Sequence, residues 1–217
     1  GNKEIAAHSR RFFKTGKGEY GEGDLFLGIR VPALRRQARL HRALPLEAVE
    51  ALLTSAFHEA RLLALIMLVG HYTRGNAATK DHVYHHYLGH TGYINNWDLV
   101  DTSAPSIVGG HLLKRDKAPL YRLADAESLW ERRIAIIATL TFIRQQQFDD
   151  TLSIADRLIT DEADLIHKAV GWMLREVGKR DPERERHFLR PRYREMPRTM
   201  LRYAIEKFPP HERHAYL

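Results

Sequence analysis

HEARLLALIMLV, residues 58–69, reads as an apolar helix, and it is the first of a series. Apolar helical segments follow at 95–103, at 130–142 (WERRIAIIATLTF) and at 166–179 (IHKAVGWMLREVGK). Their starts lie roughly 36 residues apart, and a fifth, 198–208 (RTMLRYAIEKF), comes at a slightly shorter step. Weaker amphipathic helices fill the gaps, as at 81–88 and 148–159. No stretch shows strand-like alternation of useful length.

A period of this size fits stacked helical pairs of the HEAT/armadillo kind, near the short end of that class. Each repeat would join one amphipathic helix to one apolar helix. Stacked pairs curve, and the curve has a concave face. The beginning of the chain differs. GKGEYGEG, residues 16–23, is expected to be a flexible loop, and Pro32 in GDLFLGIRVP falls where the first turn of a helix should lie. With no linker or low-complexity segment, the 217 residues are expected to form one domain.

Composition sets outer limits. The chain is 44% hydrophobic and 28% charged, which suits a soluble globular protein with a sizeable core. It has no cysteine, so disulfides, thiolate metal sites and thiol nucleophiles are excluded. A reducing, cytoplasmic setting fits, nucleoid-associated if the source is bacterial. No apolar run approaches the roughly 18 residues of a membrane span, and a membrane partner is not expected. The opening GNKEIAAHSRRFF does not read as a signal peptide, and Gly1 reads as a tag remnant or truncation point. A net charge of +7 and a pI of about 9.7 favour a polyanionic partner, most simply nucleic acid.

INNWDLVDTSAPSIVG, residues 94–109, stands out against that basic background. Trp97 and Asp101 are one helical turn apart and leave the same face, whereas Asp98 points about 100° away. An indole beside a carboxylate is a poor core pair and a good cation site. The bland reading is a half-buried Trp97 with Asp101 capping a neighbouring helix, since Thr102, Ser103 and Pro105 suggest a helix break. The functional reading is a site that stabilises a positively charged transition state, as in glycosidic bond cleavage.

Basic residues recur as stripes. Arg35, Arg39 and Arg42 make one; Lys168, Arg175 and Lys179, with Trp172 among them, make a second; Arg194, Arg198 and Arg202 make a third, which Pro197 interrupts. Each stripe alone reads as a solvated face. Three of them on one surface would track a phosphate backbone. Trp172 flanked by Lys and Arg is costly at a surface unless it meets something flat or cationic.

Other constellations carry less. His82, His86 and His90 share a helical face, so a metal site is conceivable. Without HExxH, and with no carboxylate at the matching turn except Asp81, the expected reading is a solvated face and no metal. GEYGEGD lacks the preceding strand and the GK[ST] ending of a phosphate loop, and no serine has a nucleophile-elbow context.

Four blocks together resemble a known family: LFLGIRVPALRR, NWDLVDTSAPSIVG, WERRIAI and IHKAVGWMLREVGKRDP. In order and spacing they are similar to the AlkD-type DNA alkylation repair glycosylases, built of HEAT-like repeats, over about residues 20–208. The resemblance implies an all-α right-handed solenoid whose concave basic face grips duplex DNA. It implies that Trp97, Asp101 and Trp172 form the catalytic set. Arg133 matches the family's cleft arginine, with Arg132 beside it, and Tyr20 is the candidate for a tyrosine near the start.

The activity implied is hydrolysis of the N-glycosidic bond of N3- or N7-alkylated purines in double-stranded DNA, by a monomer, with the lesion still stacked. That departs from the usual plan of extruding the base. Such lesions are cationic and leave easily, so no metal or organic cofactor is required. Arg35, Arg39, Arg133, Lys168, Arg175, Lys179, Arg198 and Arg202 would hold phosphates. Two alternatives are a non-catalytic paralogue that binds distorted duplex and a protein-binding HEAT scaffold. The first predicts loss of Trp97, Asp101 or Trp172, and the second predicts exposed apolar ridges in place of basic stripes.

Overall fold

The computed structural model describes residues 1–217 and is all-helical, apart from an isolated parallel bridge between Leu25 and Phe57. None of its helices is long and apolar enough to cross a membrane. The chain divides into two compact units, Gly1–Ile107 and Val108–Leu217.

The first unit holds α1 (Lys3–Phe12), α2 (Val31–Leu40), α3 (Leu46–Leu53), α4 (His58–Arg74), α5 (Ala77–Gly89) and α6 (Trp97–Ala104). The apolar segment at 58–69 is the hub: α4 runs on to Arg74 and packs against α2, α3, α5 and α6. Leu62, Ala64, Leu65 and Leu68 are buried along it. The four helices around it have 8–13 residues. Isolated helices shorter than about 12–15 residues are marginal in water. Burying one Leu is worth about 1.5–3 kcal/mol. Docking on α4, not helix propensity, therefore holds the smaller helices in place.

The entry to α2 is fixed by one carboxylate. Glu59, in the first turn of α4, accepts backbone N–H groups from Leu27, Gly28 and Ile29 at 2.9, 2.8 and 3.2 Å. Gly28 has φ +77°, and a Cβ there would lie 2.0 Å from the Asn2 carbonyl oxygen, so only glycine fits. Pro32 sits in the first turn of α2, as expected. The 16–23 segment is a run of turns, in which Glu19 and Glu22 accept the backbone N–H groups of Gly16 and Gly18.

The break expected at Thr102–Pro105 does not occur. Past α6 the chain continues through a π-helical turn, Pro105–Gly109. Pro105 has no N–H to give the carbonyl four residues back, that of Asp101, and its ring crowds that carbonyl. Widening the turn relieves the clash without ending the helix.

The second unit holds α7 (Gly110–Leu112), α8 (Ala118–Ala124), α9 (Leu129–Ala138), α10 (Leu140–Arg144), α11 (Asp149–Arg157), α12 (Asp164–Gly178), α13 (Pro182–Leu189), α14 (Arg198–Ala204) and α15 (Pro210–Tyr216). Its hub is α12, packed against α9, α11, α13 and α14. Gly171 lets α14 cross close by, since a Cβ there would lie 2.4 Å from the Met200 carbonyl oxygen. The segment 130–142 is two helices rather than one. They break at buried Thr139, whose hydroxyl donates to the Ile136 carbonyl at 2.7 Å. The segment 198–208 likewise closes in a 3₁₀ turn, Ile205–Lys207.

Candidate active site

Trp97 opens α6. The Asn96 side chain caps the helix by accepting the Trp97 backbone N–H at 2.9 Å. The indole is half-buried and set in an aromatic cluster. It stacks on Phe13 with centroids 5.5 Å apart and an interplanar angle of 29°, and it meets the edge of Phe12 at 5.9 Å. Phe13 in turn stacks on Phe26 at 5.4 Å and lies 4.8 Å from the His58 ring. Asp101, also half-buried, follows one turn along α6. Burial pushes the Tyr87 hydroxyl above the ordinary phenol range, and the Asp101 charge pushes it the same way. That hydroxyl pairs with Ser103 Oγ at 3.0 Å.

Beneath this cluster lies a buried ionic network that the sequence reading did not find. His58 Nδ1 bonds Asp24 at 3.1 Å and its Nε2 bonds Asp98 at 2.9 Å. Arg61 donates to Asp24 at 2.7 Å and to Asn95 at 3.0 Å. Burial alone would lower the His58 pKa. The two carboxylates outweigh it and raise the pKa to about 9. Burial would likewise raise Asp24, but His58, Arg61 and Asn95 hold its carboxyl below the ordinary range. Two carboxylates thus meet two cations, and the network is formally neutral. Asp98, adjacent to Trp97, spends its charge on His58.

The partners of His58 lie 34 and 40 positions away, so no local pattern could have announced them. The one available signal was a histidine opening an apolar helix. A cavity of about 540 Å³ reaches this network, with Phe13, Phe26, His58, Glu59 and Asp98 in its wall and α1 along one side.

The first basic stripe keeps its character. Arg35, Arg39 and Arg42 line a groove of about 360 Å³ with His71 and Arg74. Arg42 lies in the turn beyond α2 rather than on it, yet it joins the same groove. Tyr20 is half-buried, its hydroxyl 3.5 Å from the Phe12 carbonyl oxygen and its ring beneath Lys14.

In the second unit Trp172 is half-buried on α12. Burial would raise Glu176, but hydrogen bonds from Lys179, Arg180 and the Trp172 indole hold it below the ordinary range. The second stripe is not a row of unneutralised cations. Lys168 pairs with Asp164 at 2.7 Å, Arg175 with Glu206, and Lys179 with Glu176. Arg133 is buried and donates to the Leu165 carbonyl. Arg132 is committed to Asp161 at 2.6 Å and to the Ala126 and Glu127 carbonyls. Pro197 ends the third stripe as a helical feature. Arg198 and Arg202 lie on α14, whereas Arg194 precedes it and contacts the Tyr193 hydroxyl.

A solved structure described as a predicted DNA alkylation repair enzyme from Enterococcus faecalis superposes with a TM-score of 0.71 at 20% identity. The match covers 96% of this chain and 97% of that one and establishes the likeness of fold. No curated protein sequence matches the chain. The model of the family described as "DNA alkylation repair enzyme" matches residues 1–208, and the chain belongs to that family.

Proposed function

We propose that this protein is a monofunctional DNA glycosylase that hydrolyses the N-glycosidic bond of cationic N3- and N7-alkylated purines in duplex DNA, leaving the base in the stack. One observation carries the reading beyond family membership. Trp97 and Asp101 share a face of α6, and the neighbouring Asp98 is neutralised by His58. Asp101 is then the carboxylate that stands one turn from that indole on the same face of the helix.

The chemistry follows from the lesion. An alkylpurinium leaves as a neutral base, so leaving-group protonation is unnecessary. What must be stabilised is positive charge growing on the deoxyribose. The Asp101 carboxylate supplies the opposing charge and orients the attacking water. The Trp97 ring face attracts the same cation and shields it from bulk water. Trp172 is the second indole that the family likeness assigns to this reaction. The groove of Arg35, Arg39 and Arg42 supplies phosphate contacts, whereas Arg133, buried and donating to the Leu165 carbonyl, is not placed to reach a phosphate. The HEAT-like repeat belongs to the same proposal: α3/α4, α8/α9 and α11/α12 each pack as a pair of successive helices.

Asp101→Asn is the test. Single-turnover excision should fall roughly 10²-fold or more, the scale of one lost electrostatic transition-state contact. Binding to undamaged duplex should barely change, because a carboxylate repels phosphates. Near-normal excision by the variant would remove Asp101 from the reaction.

A further inference from the structure

The carboxylate missing from the histidine pattern of α5 comes from α3. Glu50 reaches across so that one donor atom from each of Glu50, His82 and His86 lies within 4.8 Å of the other two. His82 Nε2 is 2.7 Å from Glu50 Oε1, and His86 Nδ1 is 3.4 Å from the same oxygen. We propose that Glu50, His82 and His86 form a zinc(II) site that clamps α3 to α5, with the fourth position left to water.

Three observations support it. Glu50 is mostly withdrawn from solvent, its side chain 15% exposed, and its ion partners are two imidazoles with no Lys or Arg among them. In a chain with 34 lysines and arginines, that choice of partners is unusual. His86 presents Nδ1 to the Glu50 carboxylate, so a ring nitrogen is aimed into the cluster. Spacing also fits. Ligands on zinc at about 2.0–2.1 Å in a tetrahedron stand roughly 3.3 Å apart. The His86–Glu50 separation is already there. The shorter His82–Glu50 contact opens by a small rotation of His82, whose side chain is 57% exposed.

Two histidines four residues apart and a glutamate from another helix form a three-ligand N/N/O set, suited to zinc and other imidazole-seeking divalent ions. His90 is not one of the donors. It stacks on the His86 ring at 4.0 Å and donates its Nδ1–H to the His86 carbonyl, which braces that side of the site. The site serves the fold, and it does not depend on the proposed excision chemistry.

The test uses tag-free, chelator-treated full-length protein titrated with zinc chloride alone, followed by calorimetry. The chain has 13 histidines, so stoichiometry and variants decide the outcome. One saturable zinc per chain is expected, weakened about 10-fold or more in Glu50→Gln and in His82→Ala. His85→Ala, an exposed histidine of the same helix, should bind like the wild type. Bound cobalt(II) should give the intense visible bands of a tetrahedral site in the wild type and lose them in Glu50→Gln. Metal-free helical content must be unchanged, which the exposure of His82 favours. Zinc binding that is absent, that survives both His82→Ala and Glu50→Gln, or that falls equally in His85→Ala would overturn the site.

Discussion

The network under Trp97 makes a quantitative prediction about pH. His58 is 1% exposed and held between Asp24 and Asp98. Its folded pKa is about 9, raised from 6.5. A pKa raised by that much corresponds to about 3 kcal/mol of stability. The sign follows from proton uptake. Below pH 6.5 both folded and unfolded chains hold the proton, and the contribution is complete. As pH rises, the unfolded chain loses the proton first, and the contribution disappears as pH passes through about 9. His58→Gln keeps a polar side chain and removes the titration. Urea unfolding followed by helical circular dichroism should show a wild-type advantage about 3 kcal/mol larger at pH 6 than near pH 10. Nuclear magnetic resonance of the His58 ring should place its midpoint near pH 9. Parallel pH profiles for the two proteins, or a ring titrating at an ordinary imidazole pKa, would refute the charged network.

Glu185 should act in the same direction at lower pH. Burial pushes its carboxyl from 4.5 up to about 8, so stability falls as pH rises from about 4.5 to 8. Glu185→Gln should remove that slope and raise stability at pH 7 by roughly 3 kcal/mol, and a variant less stable than wild type at pH 7 would contradict it. Gly28→Ala should destabilise the first unit by several times the ~1 kcal/mol of an ordinary glycine substitution, because the Cβ meets the Asn2 backbone. Hydrogen exchange at Leu27–Ile29 reads this locally, and unchanged protection would count against the Glu59 anchor. For DNA binding, Arg35→Ala or Arg39→Ala should weaken affinity for all duplexes alike and reduce the salt slope by about one each. Lys168→Ala and Lys179→Ala should change the slope less, since both cations are already paired. Sequence-dependent losses at Arg35 or Arg39 would point to base readout instead.

The helical segments were legible because their apolar periodicity is also what packs them. The segments at 58–69 and 166–179 became the hubs α4 and α12. Ends and interruptions were less legible. The π-helical turn after Asp101 and the break at Thr139 depend on local backbone crowding that periodicity does not register. Trp97 and Asp101 could be placed on one face from their spacing alone. The spacing could not say that Asp98 would be cancelled by a histidine from α4. Nor could it say that Glu50 would complete the histidine pattern of α5. Such contacts join positions more than 30 apart, and helix packing alone brings them together. In the second basic stripe, spacing found the cations and not the carboxylates beside them.

Release of free base from alkylated DNA tests the central claim most directly. Methylated duplex DNA should be incubated with excess protein, and the liberated bases identified by mass spectrometry. The account predicts release of 7-methylguanine or 3-methyladenine, and no release of uracil or hypoxanthine from matched duplexes. Neutral bases need an acid for the leaving group, and the proposed mechanism supplies none. Duplex binding with no base released would leave a DNA-binding protein without this chemistry, and efficient excision of uracil would contradict the mechanism assigned to Asp101.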